Sequence, residues 1–262
     1  MCHCTMYGEV SSEFSIEEQE DLRKQKDSVC FDRLILELTR RCNMRCRHCL
    51  RGDAEAVDMS HRTIVKAINM AKQINSITLT GGEPTLVINR IRYVYDLLLD
   101  KFGEGNLPPF YIATNGRENQ LELASILLEW YANSCEPDLC CVEMSSDIFH
   151  CEYGTPSSNV LAGLVFCDNG KQHSLNENED SAKWLIAEGR GKDLPKAADT
   201  KRMEIDFSYP LQLEEFDGSL YIGEDCYVSA GEEIMSVCDC SYESIRKHSR
   251  CKLDDLPTLK VG

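Results

Sequence analysis

Three cysteines, Cys42, Cys46 and Cys49, fall within eight positions of the stretch RRCNMRCRHCL, residues 40–50. A disulfide uses two sulfurs and a structural zinc site four ligands. A [4Fe–4S] cluster takes one thiolate per iron, so three cysteines leave one iron with an open position. An open position on a metal centre is where a substrate or cofactor binds. Zinc is the rival reading, with His48 or a distant cysteine as fourth ligand. However, His48 is next to Cys49, and adjacent side chains rarely converge on one tetrahedral ion. Five arginines (Arg40, Arg41, Arg45, Arg47 and Arg51) surround the thiols, and the simplest reading is that they offset the charge of an anionic cluster.

Those thiols need a scaffold, and 262 residues suffice for one large α/β domain with a small appendage. The 42% apolar and 27% charged composition fits a folded globular chain. A net charge of −16 opposes non-specific nucleic-acid binding, which depends on neutralising phosphates. No apolar run is long enough for a membrane span, and the start MCHCTMYGEVSSEF lacks the pattern of a secretory signal, so the expected location is the cytoplasm. Fifteen cysteines in such a chain are expected as reduced thiols serving metals or packing as small hydrophobes, as for Cys30, Cys140, Cys141 and Cys167.

Strand patterns lie at residues 33–39, 76–80, 110–114 and 140–145, with helical patterns at 59–74, 86–102 and 118–133 between them. Ser60 is placed to cap the first of these helices. Residues 15–26 read as an exposed helix and 155–166 as another. Residues 183–191, 202–207 and 218–223 read as strands, the last after an Asp217–Gly218 hairpin turn. Alternation of this kind predicts right-handed βαβ units and a mainly parallel sheet, with chemistry at the carboxyl ends of the strands. The cysteine loop, GGEP (81–84), TNG (114–116) and SSD (145–147) all fall there.

CNMRCRHC followed by TGGEP resembles the radical S-adenosylmethionine (SAM) enzymes, whose mark is CxxxCxφC after the first strand and a glycine-rich turn after the second. YIATNG, VEMSSDIFH and IAEGRG are similar to later segments of that family. The resemblance covers roughly residues 33–150. It implies a partial (β/α)6 TIM-like barrel of mainly parallel strands with a short C-terminal extension. The corresponding division is an acidic extension at 1–30, a core at 31–210 and an extension at 211–262. It further implies that Cys42, Cys46 and Cys49 hold three irons of a [4Fe–4S] cluster and that SAM chelates the fourth. In this picture Gly81 and Gly82 let the backbone approach the cofactor, carbonyls of their turn and Glu83 bind its ammonium, and Pro84 stiffens the exit. Thr114, Asn115, Ser145, Asp147 and Arg190 are the remaining candidate SAM contacts. The partners implied are a reductant such as flavodoxin or ferredoxin and a peptide or small-molecule substrate.

Residues 217–251 are similar to the end of the SPASM and twitch extensions, many of which carry auxiliary clusters. Cys226, Cys238, Cys240 and Cys251 are the ligands such a cluster would have. Their spacing departs from the usual pattern and favours reduced structural thiols. MCHC at the start reads as an untethered terminus, and Cys151 is the candidate for quenching a substrate radical. Two other functions were weighed against a peptide-modifying enzyme: a small-molecule enzyme or activase, and a zinc- or cluster-bound module without turnover. The GGEP turn, shaped for SAM, argues against the module.

Overall fold

The computed structural model describes residues 27–145, 148–154, 160–168, 183–194, 200–216 and 218–259. β1 (Val29–Thr39) is followed by α1 (His61–Met70), β2 (Ala71–Gly81), α2 (Ile88–Phe102), β3 (Phe110–Thr114), α3 (Gln120–Asn133) and β4 (Cys141–Met144). A four-residue α4 (Ile148–Cys151), a two-residue β5 (Cys167–Asp168), β6 (Lys183–Ile186) and β7 (Thr200–Met203) come next. The order closes with β8 (Gln212–Phe216), β9 (Ser219–Val228), β10 (Glu233–Met235), α5 (Tyr242–His248) and β11 (Cys251–Lys252).

Nine of these strands form one sheet in the order β11-β10-β9-β1-β2-β3-β4-β5, with β8 also on β9. Strands β1 to β5 are parallel in sequence order, as βαβ connections require. β6 and β7 pair with each other in a separate parallel ribbon. The fold is therefore α/β with a large, mostly parallel sheet.

Ser60 caps α1 by accepting from the Thr63 amide at 3.0 Å. The helix stops at Met70, short of the expected Ile74, because Ala71 enters the extended region and pairs with Val29. Its last carbonyls, on Asn69 and Met70, accept from the Asp27 and Ser28 amides at 3.2 and 2.8 Å. The lead-in to β1 thus does the capping that a glycine would otherwise do. Of the region expected to be helical at 155–166, residues 155–159 lie outside the described residues. The remainder holds only a 3-10 turn, Leu161–Gly163, before β5. The strand expected at 202–207 ends at Met203. The hairpin expected before residue 219 is present: β8 and β9 pair antiparallel from Phe216↔Ser219, and Gly218 supplies φ +68°. Asp217, MCHC and the helix expected at 15–26 lie outside the described residues.

Alternation along β1 feeds two apolar clusters. Val29, Phe31, Leu34, Leu36 and Leu38 pack under the helices, where Trp130 meets Phe110 edge-on at 5.5 Å and donates to the Pro108 carbonyl at 2.9 Å. Ile35 points to the opposite face, into a second cluster with Tyr227, Met235, Cys240, Tyr242 and Ile245. That second cluster depends on the C-terminal residues. β9 runs parallel to β1 from Val29↔Leu220 to Leu36↔Val228, and Ile222, Cys226 and Val228 join the main core. Among the described residues, no helix is long and apolar enough to cross a membrane.

Deleting residues 211–262 uncovers one whole edge of β1 and removes the second cluster. The truncated chain is expected to lose its cooperative urea transition and to be cut rapidly by trypsin within the cysteine loop. A truncation that unfolds as sharply as the full chain would show that β1 to β5 stand alone.

Candidate metal centre and cofactor site

The cysteine loop leaves β1 at Thr39 and folds directly onto the turn that ends β2. Gly82 N–H donates to the Thr39 carbonyl and Glu83 N–H to the Arg41 carbonyl, both at 2.8 Å. A Cβ at Gly82 would lie 2.3 Å from the Arg41 oxygen, and one at Gly81 2.3 Å from the Thr39 oxygen. Real Cβ atoms do not approach that closely, so both positions require glycine. In this structure the glycines are explained by backbone docking inside the chain itself.

Glu83 is fully buried and caps a short 3-10 turn, Pro84–Val87, with Pro84 in the first turn position. Its Oε1 accepts from Thr85 N–H (3.1 Å), Thr85 Oγ1 (2.7 Å) and Thr114 Oγ1 (2.6 Å), and its Oε2 accepts from Asn115 N–H (2.7 Å). Burial pushes this carboxyl above the usual range, and the four donors pull the other way. The carboxylate is thus engaged within the protein, and it ties the end of β2 to the end of β3. Asn115 then reaches the cysteine loop, its Nδ2 donating to Asn43 Oδ1 at 2.8 Å. Ser145, at the end of β4, donates its N–H to the Thr114 carbonyl at 2.9 Å. Asp147 lies outside the described residues.

Arg190, expected among the cofactor contacts, grips the loop in this structure. Its Nε donates to the Cys46 carbonyl at 2.9 Å, its Nη1 to the Gly52 carbonyl at 2.5 Å and to Asp53 Oδ1 at 2.9 Å. Its N–H donates to the Cys49 carbonyl at 2.9 Å. Gly189 is as constrained as the GGEP glycines: a Cβ there would fall 2.4 Å from both Gly52 N and the Leu50 oxygen.

The expectation that all five arginines face an anionic cluster is corrected by their partners. Arg40 is buried between Glu37 (2.9 Å) and Glu55 (3.0 Å). Arg41 pairs with Asp58 (2.9 Å), Arg45 with Asp53 (3.3 Å) and Arg47 with Glu152 (3.3 Å). Carboxylates spaced along the chain claim these four guanidiniums, a pairing that no local spacing announces. His48 stacks on Phe149, ring centroids 4.4 Å apart, with His150 edge-on at 5.2 Å.

The three cysteines are free. Burial pushes the Cys42 thiol up to about 11, with Glu83, Cys49 and Cys46 adding negative charge in the same direction and the Met44 amide opposing it. Among the described residues, no group of three or more His, Cys, Asp or Glu side chains is set to hold a single metal ion. Three separate thiols on one loop fit a cluster, which takes each sulfur on a different iron. The four C-terminal cysteines do not meet: Cys226 and Cys251 belong to the main core, and Cys240 and Cys238 to the cluster on the other face of β9. Cys226 lies on β9 and Cys251 on β11, whereas Cys238 and Cys240 sit in the loop between β10 and α5 that packs into the second cluster.

Sequence reasoning missed residues 188 and 240–246 as supports of the loop. Tyr242 N–H donates to the Arg51 carbonyl at 3.1 Å, and the Arg40 guanidinium lies 5.0 Å from the Tyr242 ring centre. Glu188 accepts from Ser241 N–H (3.2 Å) and Ser244 Oγ (2.7 Å) at the start of α5. These contacts are too remote in sequence for any motif to announce.

Replacing Glu83 by Gln sets an amide N–H against donors that have no other acceptor. Glu83→Gln is expected to cost about 2–3 kcal/mol, read as a lower urea midpoint at unchanged slope. An unchanged midpoint would show that the carboxylate does not tie β2 to β3.

Residues 36–134 match the family model described as the Radical SAM superfamily. An uncharacterized protein of Methanocaldococcus jannaschii is 37% identical over 86 residues, which are 31% of this chain. The match spans 29% of the relative's length. The family match runs from β1 through α3 and contains the cysteine loop, the GGEP turn and the TNG turn. Its position supports placing this segment in the Radical SAM superfamily.

Proposed function

We propose that the chain is an enzyme that cleaves SAM reductively, with Cys42, Cys46 and Cys49 each ligating one iron of a [4Fe–4S] cluster. The observation that carries this reading is the convergence of three strand ends. The cysteine loop, the GGEP turn and the TNG turn are joined by backbone hydrogen bonds, by Glu83 and by the Asn115–Asn43 contact, all inside the family-matched segment. When bound, such a cluster with SAM supplies one-electron cleavage of a sulfonium C–S bond, giving methionine and a 5′-deoxyadenosyl radical that takes hydrogen from substrate.

The protein's own part is to hold and orient. Four donors already occupy Glu83, so in our reading the exposed carbonyls of its turn take the ammonium of SAM. Thr114 and Asn115, at the end of β3, and Ser145, just after β4, contact the rest of the cofactor in this reading, together with Asp147. Arg190 acts through the loop by fixing the carbonyls of Cys46 and Gly52. We read β1 to β5 as part of a partial (β/α)6 barrel and residues 211–262 as its C-terminal extension. The substrate is a peptide or a small molecule, and a cytoplasmic flavodoxin or ferredoxin supplies the electron.

Anaerobic reconstitution with iron and sulfide, followed by dithionite and SAM, is expected to give slow release of 5′-deoxyadenosine. Cys46→Ala should reduce that release at least a hundredfold. One tightly held zinc per chain and no 5′-deoxyadenosine would defeat the proposal.

A further inference from the structure

Four of the five loop arginines are neutralised by carboxylates, and Arg51 is the exception. Its Nη1 donates to the Cys240 carbonyl at 2.8 Å and lies 3.6 Å from Cys240 Sγ. Its guanidinium sits 5.1 Å from the Tyr227 ring centre. All of these partners are neutral at pH 7, since burial pushes the Cys240 thiol up to about 11 and the Tyr227 phenol well above its usual range. An arginine keeps its proton in any such setting.

Glu37, the carboxylate whose charge reaches Arg51 through space, is bonded to other groups. Glu37 accepts from Arg40 Nε (2.9 Å), Tyr227 Oη (2.7 Å) and Ala230 N–H (2.8 Å). Arg40 also meets Glu55 and Glu233. Arg246 pairs with Glu55 and Lys252 with Glu233, both at 2.8 Å. Three carboxylates, Glu37, Glu55 and Glu233, thus face three cations, Arg40, Arg246 and Lys252. Among the described residues no carboxylate makes an ion pair with Arg51. Arg51, two residues beyond Cys49, is held half-buried between the cysteine loop and the C-terminal segment. Positive charge in a low-dielectric setting favours an added electron nearby.

We propose that Arg51 is the fixed cation of the cluster loop, a positioning residue that clips the loop to Cys240 and eases one-electron reduction of the bound [4Fe–4S] cluster. The inference rests on the cluster reading under Proposed function. The electron comes from an external one-electron reductant, dithionite in the test, and no proton is required.

The test is a redox titration of the reconstituted protein without SAM, followed by the electron paramagnetic resonance signal of the reduced cluster. Arg51→Gln keeps a donor for the Cys240 carbonyl and loses the charge. At a fixed potential it is expected to lower the reduced-to-oxidised ratio about tenfold, a fall in midpoint of about 59 mV. Arg51→Lys should recover most of that loss. Cys240→Asp, which sets a carboxylate against an intact Arg51, should lower the midpoint as Arg51→Gln does, while Cys240→Ser should leave it in place. Equal midpoints in wild type and Arg51→Gln overturn the inference and leave the cluster reading intact. If Arg51→Gln takes up no cluster, the two Cys240 variants decide, and equal midpoints in them overturn it. A wild-type protein that takes up no cluster overturns both.

Discussion

A single buried carboxylate holds the upper end of this molecule together. Glu83 receives four hydrogen bonds from two different strand ends, and no water is needed to complete it. An acceptor-only group in that position demands donors, so its presence dictates the orientation of Thr85, Thr114 and the Asn115 amide. The cysteine loop is then placed by what those residues hold. Gly82 and Glu83 dock their amides on its first carbonyls, and Asn115 reaches Asn43 beside Cys42.

The opposite side of the loop is fixed by charge. Arg40 and Glu37 form the centre of a buried ion network that reaches Glu233 in β10 and Arg246 in α5. Arg190 grips later parts of the loop through the Cys46 and Gly52 carbonyls, and Arg51 ties the end of the loop to the Cys240 carbonyl. A loop with three thiols has little apolar surface of its own to bury. Directional polar contacts to rigid elements therefore carry the burden that packing carries elsewhere in the core.

Much of this was legible in the sequence because it is local. The strand ends carrying the cysteines, GGEP and TNG follow from short periodic runs, as do the Ser60 cap and the hairpin at Gly218. What escaped is non-local. Nothing near Ala71 signals that sheet pairing to Val29 will cut α1 short. Nothing near Arg40 reveals that Glu37 and Glu55 will claim it. The glycines of the GGEP turn were expected to let the backbone approach a cofactor, and the atoms they approach in this structure are backbone oxygens of the preceding loop. Cys226 and Cys240 look alike in sequence, yet Cys226 on β9 joins the main core while Cys240, in the loop after β10, joins the second cluster.

The parallel neighbour of β1 has a consequence for how the molecule comes into being. Val29 is made early and Leu220 late, yet the two must pair before the middle of the sheet is sealed. Such long-range closure is slow, and a nascent chain leaves β1 with an open flank until β9 has been synthesised. During that interval the thiol loop lacks Tyr242 and Cys240 behind it. The thiol loop therefore reaches its final shape only after β9 and α5 have docked, so whatever the loop holds is received by a sheet already closed across β1.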